Sequence, residues 1–134
     1  MGCWFYSRNM KMDLPVRDAR FEPFSTHLLV GPSTCGKTYR IARILQLKDQ
    51  LIKQGEDIKN IVFCYAAWQD IYTTLTEQGV VTKWVNKLPT LQEFINLVEP
   101  YKDQGGSIVV IDDFMSEITR DLIKIVTVYS RHYK

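Results

Sequence analysis

The segment Gly31–Thr38 reads Gly-Pro-Ser-Thr-Cys-Gly-Lys-Thr and matches the pattern G-x-x-x-x-G-K-[S/T], the Walker A motif. A loop of this kind wraps the phosphates of a nucleotide with its backbone N–H groups, and its glycines permit the tight turns. A chance match occurs in on the order of one in two hundred chains of this length. We therefore predict an ATP-binding loop made of Gly31, Pro32, Ser33, Thr34, Cys35, Gly36, Lys37 and Thr38.

Two side chains at the end of this motif have distinct expected roles. Lys37 is the predicted catalytic lysine, which contacts the β- and γ-phosphates. The hydroxyl of Thr38 is expected to bind Mg²⁺. A helix that begins here would also direct its unpaired N–H groups and the positive end of its dipole at the phosphates.

A second candidate site follows the apolar run Ile108–Ile111, which ends in Asp112 and Asp113. An apolar strand followed by paired carboxylates is the Walker B pattern, in which Asp112 would hold Mg²⁺ directly or through water. Asp113 would polarise the attacking water and is the second predicted catalytic residue. Two aspartates can also simply mark an exposed turn after a strand, but the accompanying Walker A motif favours the metal site.

Hydrophobic periodicity predicts strands that alternate with helices. The predicted strands are a buried strand at His27–Val30, a strand at Asn60–Tyr65, a strand at Val80–Val85 that could lie at the edge of the sheet, and a strand at Ser107–Ile111. The predicted helices are a helix from about Gly36 to Lys53, a short helix stopped by Gly79, a helix opened by the capping box of Thr90 and Glu93, and a last helix capped by Ser116. This alternation indicates βαβ units with a mainly parallel sheet, and hence an α/β fold of the three-layer P-loop NTPase type. We divide the chain into an irregular N-terminal arm, residues 1–20, and a partial P-loop NTPase domain, residues 21–134.

Composition narrows the class of protein. The 134 residues fit one domain, and 46% hydrophobic with 24% charged residues argues against disorder. The net charge of +2 does not by itself indicate a nucleic-acid-binding protein. No apolar run is long enough for a membrane helix, no secretory signal is recognisable, and the three cysteines form no CxxC pair. We expect an intracellular protein with reduced thiols that is neither secreted nor bound to a membrane.

Several motifs together resemble those of viral genome-packaging ATPases of the poxvirus and Polinton type, within the FtsK/HerA superfamily. The matching segments are Phe21–Phe24 before the Walker A motif, the aromatic stretch with Tyr65, Trp68, Gln69 and Tyr72, the turn Leu88-Pro89, the run Asp112-Asp113-Phe114-Met115 and the segment Ser130-Arg131-His132. The resemblance covers residues 21–134. It implies ATP hydrolysis with Mg²⁺ that drives double-stranded DNA into a capsid, by a ring of identical subunits in the host cytoplasm or nucleus.

The family pattern continues beyond the segment Ser130–His132. It includes a further strand that carries a polar sensor residue, and later residues supply an arginine finger. We expect these parts to be missing from this chain, so that the core is truncated. The missing strand would lie between the Walker A and Walker B strands, and its loss should leave a gap or bring those two strands together.

Some residues allow two interpretations. For Arg131 the two interpretations are a γ-phosphate contact in trans and a surface position, and for His132 they are a phosphate sensor and an exposed side chain; the surface interpretation is favoured for both. Tyr65, Trp68 and Tyr72 could stack on adenine or DNA bases, although packing is the favoured interpretation. Two other functions also remain open: a P-loop kinase of a nucleoside or small molecule, and a non-enzymatic nucleotide-binding remnant.

Overall fold

The computed structural model describes residues 18–23, 25–114 and 120–124. The helices and strands are α1 (Lys37–Gln46), α2 (Lys48–Leu51), β1 (Asn60–Tyr65), α3 (Asp70–Glu77), β2 (Lys83–Val85), α4 (Leu91–Val98), β3 (Ser107–Asp112) and α5 (Arg120–Lys124). Single-turn 3-10 helices lie at Gly55–Asp57 and Glu99–Tyr101. The expectations for residues 1–17, for the Ser116 cap and for Arg131 and His132 lie outside the described residues.

The three strands found in the described residues form one open sheet, and both pairings are parallel. Their order is β2-β1-β3, with β1 and β3 aligned from Asn60 opposite Ser107 to Tyr65 opposite Asp112. Strands in parallel sheets are covered on both faces, which explains why these two segments are almost continuously apolar. The expected α/β class and parallel sheet are confirmed. All three strands also end at the same edge of the sheet, and Asp112 is the last residue of β3.

The edge strand β2 is shorter than the predicted Val80–Val85. Just before β2, the backbone N–H of Thr82 donates to the Ile61 carbonyl at 2.8 Å. The Ile61 N–H donates to the Thr82 hydroxyl at 3.0 Å. Because a side-chain oxygen takes the hydrogen bond that a strand would accept with its backbone, the regular ladder begins only at Lys83.

Helices pack on both faces of the sheet, which makes the described domain three layers thick. On one face, Leu45 of α1 and Tyr72 and Leu75 of α3 pack in a buried cluster with Phe63 of β1. On the other face, Leu97 of α4 packs against a cluster that contains the alternate residues of β1. The N-terminus of α4 has the predicted capping box, in which the Glu93 N–H donates to the Thr90 hydroxyl and the Thr90 N–H donates to Glu93.

The predicted strand at His27–Val30 is wrong. This segment is irregular, and its side chains are exposed: 83% for Leu28, 41% for Leu29 and 71% for Val30. An apolar run becomes a strand only if a neighbouring strand satisfies its backbone N–H and C=O groups. Within the described part of the chain the segment pairs with neither β3 nor any other strand. Because this segment forms no strand, the described residues test neither of the two arrangements expected for the Walker A and Walker B strands.

The single helix predicted from about Gly36 to Lys53 is also wrong, because it breaks at Leu47. Leu47 has φ −107° and ψ 20°, which is not helical, and the short helix α2 follows it. The break falls beside Lys48, a charged residue that interrupts the helical spacing of the apolar residues in this segment. In the folded chain the Lys48 ammonium donates to the Gly55 carbonyl at 2.7 Å, so the turn gives this charged group a polar partner.

None of the helices in residues 18–23, 25–114 and 120–124 combines the length and the hydropathy needed to cross a lipid bilayer.

Candidate functional site

The Walker A segment forms an exposed loop that leads directly into α1. Gly36 precedes the helix with φ +84°, a left-handed conformation that glycine adopts at little cost. Thr34 also has a positive φ, of 64°. At the start of the loop, a Cβ on Gly31 would lie 2.8 Å from the Cys35 sulfur, so a side chain there would displace the Cys35 side chain from its position. Gly36 therefore supplies the left-handed turn in front of the helix, and Gly31 leaves room for the Cys35 side chain.

The Lys37 side chain folds back onto the loop and stabilises its turn. Its ammonium donates to the carbonyl oxygens of Gly31 at 2.8 Å and Pro32 at 2.7 Å. The Cys35 sulfur lies 3.8 Å from the same ammonium. A positive charge is thus placed in the concave side of the loop, where the sequence predicts that phosphates bind.

The N-terminus of α1 adds to this positive character. Within the described residues no side chain caps it, and its first turn contains no acidic residue. The first N–H groups of a helix have no partner within the helix, and the dipole favours an anion at this end. The Lys37 ammonium and the N-terminus of α1 thus both favour an anion beside the loop.

Thr38 and Asp112 contact each other although they are 74 residues apart in the sequence. The Thr38 hydroxyl donates to Oδ2 of Asp112 at 2.9 Å. Thr38 is the second residue of α1, and Asp112 is the last residue of β3. The packing of the domain therefore joins the predicted Walker A and Walker B residues at the carboxyl edge of the sheet.

Asp112 is buried, with 7% of its surface exposed, and it accepts a second hydrogen bond. The hydroxyl of Tyr72, in α3, donates to the same Oδ2 at 2.7 Å. The side-chain amide of Gln69 donates to the Tyr72 hydroxyl at 3.2 Å. Burial raises the pKa of Tyr72, and its hydrogen bond to Asp112 raises it further, so the hydroxyl remains a donor.

This role of Tyr72 was not predicted from its sequence context. Packing was the favoured interpretation of its ring, and it is confirmed, because Tyr72 is fully buried. A buried tyrosine hydroxyl usually finds a hydrogen-bond partner, and this general rule was the available signal. Sequence alone could not show which of the polar residues would be that partner.

Asp113 differs from its neighbour in both exposure and backbone conformation. It is exposed, and its φ is +64°, a left-handed conformation that aspartate tolerates better than most residues. The sharp change of direction directs the two carboxylates into different surroundings: Asp112 is buried against α1 and α3, whereas Asp113 faces solvent. This difference is compatible with the separate roles predicted for them.

The remaining aromatic residues of the stretch surround Tyr72. Trp68 lies edge-on to Tyr65 and Tyr72, with ring centroids 5.3 and 5.5 Å away. The ring centroid of Trp84, in β2, lies 5.2 Å from that of Tyr72. Trp68 is 49% exposed and forms the outer surface of this cluster. Packing thus accounts for the positions of these rings, and stacking of Tyr65 or Trp68 on adenine or DNA bases stays a prediction.

The side-chain oxygen atoms at this edge of the sheet are suitable ligands for Mg²⁺. Magnesium in nucleotide sites is bound by one or two protein oxygens together with phosphate oxygens and water. The Thr38 hydroxyl and the Asp112 carboxylate are ligands of this kind, and their hydrogen bond places them side by side. No group of three or more His, Cys, Asp or Glu residues that could hold a metal ion occurs among the described residues, and a nucleotide-bound magnesium does not require one.

Comparisons of this chain with protein-family models, with curated proteins and with solved structures found no match. The site must therefore be interpreted from its own geometry.

Proposed function

We propose that this protein binds Mg·ATP at the loop Gly31–Thr38 and hydrolyses it, as a P-loop NTPase. The observation that supports this most strongly is the hydrogen bond between Thr38 and Asp112. A glycine-rich loop with a lysine can occur by chance. In that case, however, a contact between Thr38 at the end of the loop motif and Asp112 at the end of an apolar strand would not be expected. In an Mg·ATP site this contact is expected, because both residues serve one metal ion.

Each residue has a defined part in this proposal. The loop N–H groups and Lys37 bind the phosphates, and Thr38 and Asp112 hold Mg²⁺. The metal supplies positive charge that neutralises the phosphate oxygens. Asp113, which is exposed at the same edge, orients the attacking water.

The resemblance to viral genome-packaging ATPases extends the proposal to a biological role. ATP hydrolysis would drive double-stranded DNA into a capsid, with several identical subunits arranged in a ring. The support for this part is the set of sequence motifs, above all the aromatic stretch that follows β1.

One observation favours a second candidate, a protein that binds ATP without turnover. The segment Leu28–Val30, which leads into the loop, is exposed and pairs with no strand within the described residues. A loop that no described strand precedes can still bind phosphates through the helix that follows it. Hydrolysis also requires the water and the γ-phosphate to be held in register, and a loop without a strand before it meets this requirement less well.

Calorimetric titration with ATP and Mg²⁺ tests the shared part of both candidates. Lys37→Ala removes a charge-assisted hydrogen bond of roughly 1.5–3 kcal/mol, so the affinity for ATP should fall at least about tenfold. Lys102→Ala, at an exposed position beyond α4, is the matched control and should bind as the wild type does. Equal affinities for wild type and Lys37→Ala would refute the site. Phosphate release, with and without DNA, then separates an ATPase from a protein that only binds.

A further inference from the structure

The carboxylate of Asp112 would be poorly oriented without a second donor. The χ2 torsion of aspartate has broad, roughly two-fold preferences, so the rotamer alone does not fix the plane of the carboxylate. Thr38 donates to one oxygen, Oδ2, and a single hydrogen bond restrains the position of that oxygen from one direction only. A metal ligand must nevertheless present its oxygen in a defined direction.

Tyr72 supplies the second donor from a rigid position. Its ring is fully buried and packs against Phe63 and Trp84, with centroid separations of 4.9 and 5.2 Å. Because the ring cannot move without disturbing this cluster, its hydroxyl is a fixed point, 2.7 Å from Oδ2 of Asp112. Thr38 and Tyr72 donate to this oxygen from α1 and α3 respectively. Together they fix the position of Oδ2 and so limit rotation of the Asp112 carboxylate about χ2.

Gln69 extends the network by one residue. Its amide donates to the Tyr72 hydroxyl, whose own proton is directed to Asp112. A hydroxyl that accepts one hydrogen bond becomes a better donor in the next, so Gln69 strengthens the contact between Tyr72 and Asp112. Gln69 precedes the first residue of α3 and makes no side-chain cap there.

We propose that Tyr72, supported by Gln69, is the positioning residue that orients Asp112 for magnesium. This inference rests on the proposed Mg·ATP site and adds a residue that does not itself touch the nucleotide or the metal. Residues in this position, outside the metal ligands, typically affect metal affinity or activity about 10- to 100-fold when they are replaced. Tyr72 therefore acts on the metal through Asp112 and leaves the phosphate loop unchanged.

The test is the gain in affinity that Mg²⁺ gives to a non-hydrolysable ATP analogue, measured by calorimetry with Mg²⁺ and again with EDTA. Tyr72→Phe keeps the ring in the core and removes only the hydroxyl. We expect its affinity in EDTA to match the wild type and its gain from Mg²⁺ to fall about 10- to 100-fold. Tyr65→Phe, which removes a hydroxyl from the same aromatic cluster but not the one that contacts Asp112, should retain the full gain.

The outcomes separate this inference from the proposed function. If the wild type binds no nucleotide, or shows no gain from Mg²⁺, the proposed function fails and this inference fails with it. If the wild type shows the gain and Tyr72→Phe keeps it, only the positioning role is overturned. Should Tyr72→Phe not fold, as judged by circular dichroism, Gln69→Ala replaces it: a reduced gain supports the inference, and an unchanged gain overturns it.

Discussion

The contact between Thr38 and Asp112 can be measured without any ligand, as a coupling in the free energy of unfolding. The perturbations are Thr38→Val, which removes the hydroxyl at nearly constant shape, and Asp112→Ala, which removes the acceptor. A hydrogen bond to a charged group contributes roughly 1.5–3 kcal/mol. Thr38 is only half-buried, and Tyr72 donates to the same oxygen, so we expect a coupling of about 1–2 kcal/mol.

A double-mutant cycle isolates this coupling. Urea unfolding of the wild type, both single variants and the double variant gives four free energies of unfolding. The cost of leaving the Tyr72 hydroxyl without its acceptor occurs in both proteins that carry Asp112→Ala, so it cancels. The change in helix propensity caused by Thr38→Val cancels in the same way.

The neighbouring aspartate provides the control. Asp113 is exposed, and Asn tolerates its left-handed backbone conformation, so Thr38→Val and Asp113→Asn should be additive within about 0.3–0.5 kcal/mol. A coupling between Thr38 and Asp112 no larger than this control would refute the contact. The main support for the Mg·ATP site would then be lost, whatever the nucleotide-binding data showed.

Two further predictions concern the chemistry of the site. Asp112→Asn should reduce the dependence of ATP binding on Mg²⁺, whereas Asp113→Asn should preserve ATP binding and abolish hydrolysis. Normal phosphate release by Asp113→Asn would mean that another residue orients the water. A maleimide at neutral pH should modify Cys35, which is exposed in the loop, and saturating Mg·ATP should slow this reaction. Cys64 is the internal control, because it is buried and its burial raises the pKa of the thiol to about 12, so it should stay unlabelled in the folded protein. Peptide mapping after brief labelling distinguishes the two thiols, and labelling of Cys35 that is indifferent to Mg·ATP would place this residue outside a phosphate site.

Features that depend on a few neighbouring residues could be predicted from the sequence. The glycine-rich turn before α1 follows from residues that can adopt positive φ, and the capping box at Thr90 follows from two side chains three positions apart. The strands β1 and β3 follow from apolar runs of strand length. In each case the physical cause acts within one turn or one strand, so the local pattern contains the information needed.

Structural features that depend on a partner distant in the sequence could not be predicted in this way. The apolar segment His27–Val30 has the composition of a strand, but it lies outside the sheet because no described strand satisfies its backbone hydrogen bonds. The long helix breaks at Leu47, where Lys48 finds its acceptor in the carbonyl of Gly55.

The candidate site combines both kinds of information. From the sequence alone, Thr38 and Asp112 were both predicted to bind Mg²⁺, each on the evidence of its own motif. Only the packing of α1 and α3 against β1, with β3 beside it, places the two side chains in contact and sets the Tyr72 hydroxyl against the same oxygen. The sequence indicated which residues are candidates for an Mg·ATP site, whereas the tertiary structure decided that Thr38 and Asp112 meet, because a hydrogen bond across 74 residues depends on how whole elements pack.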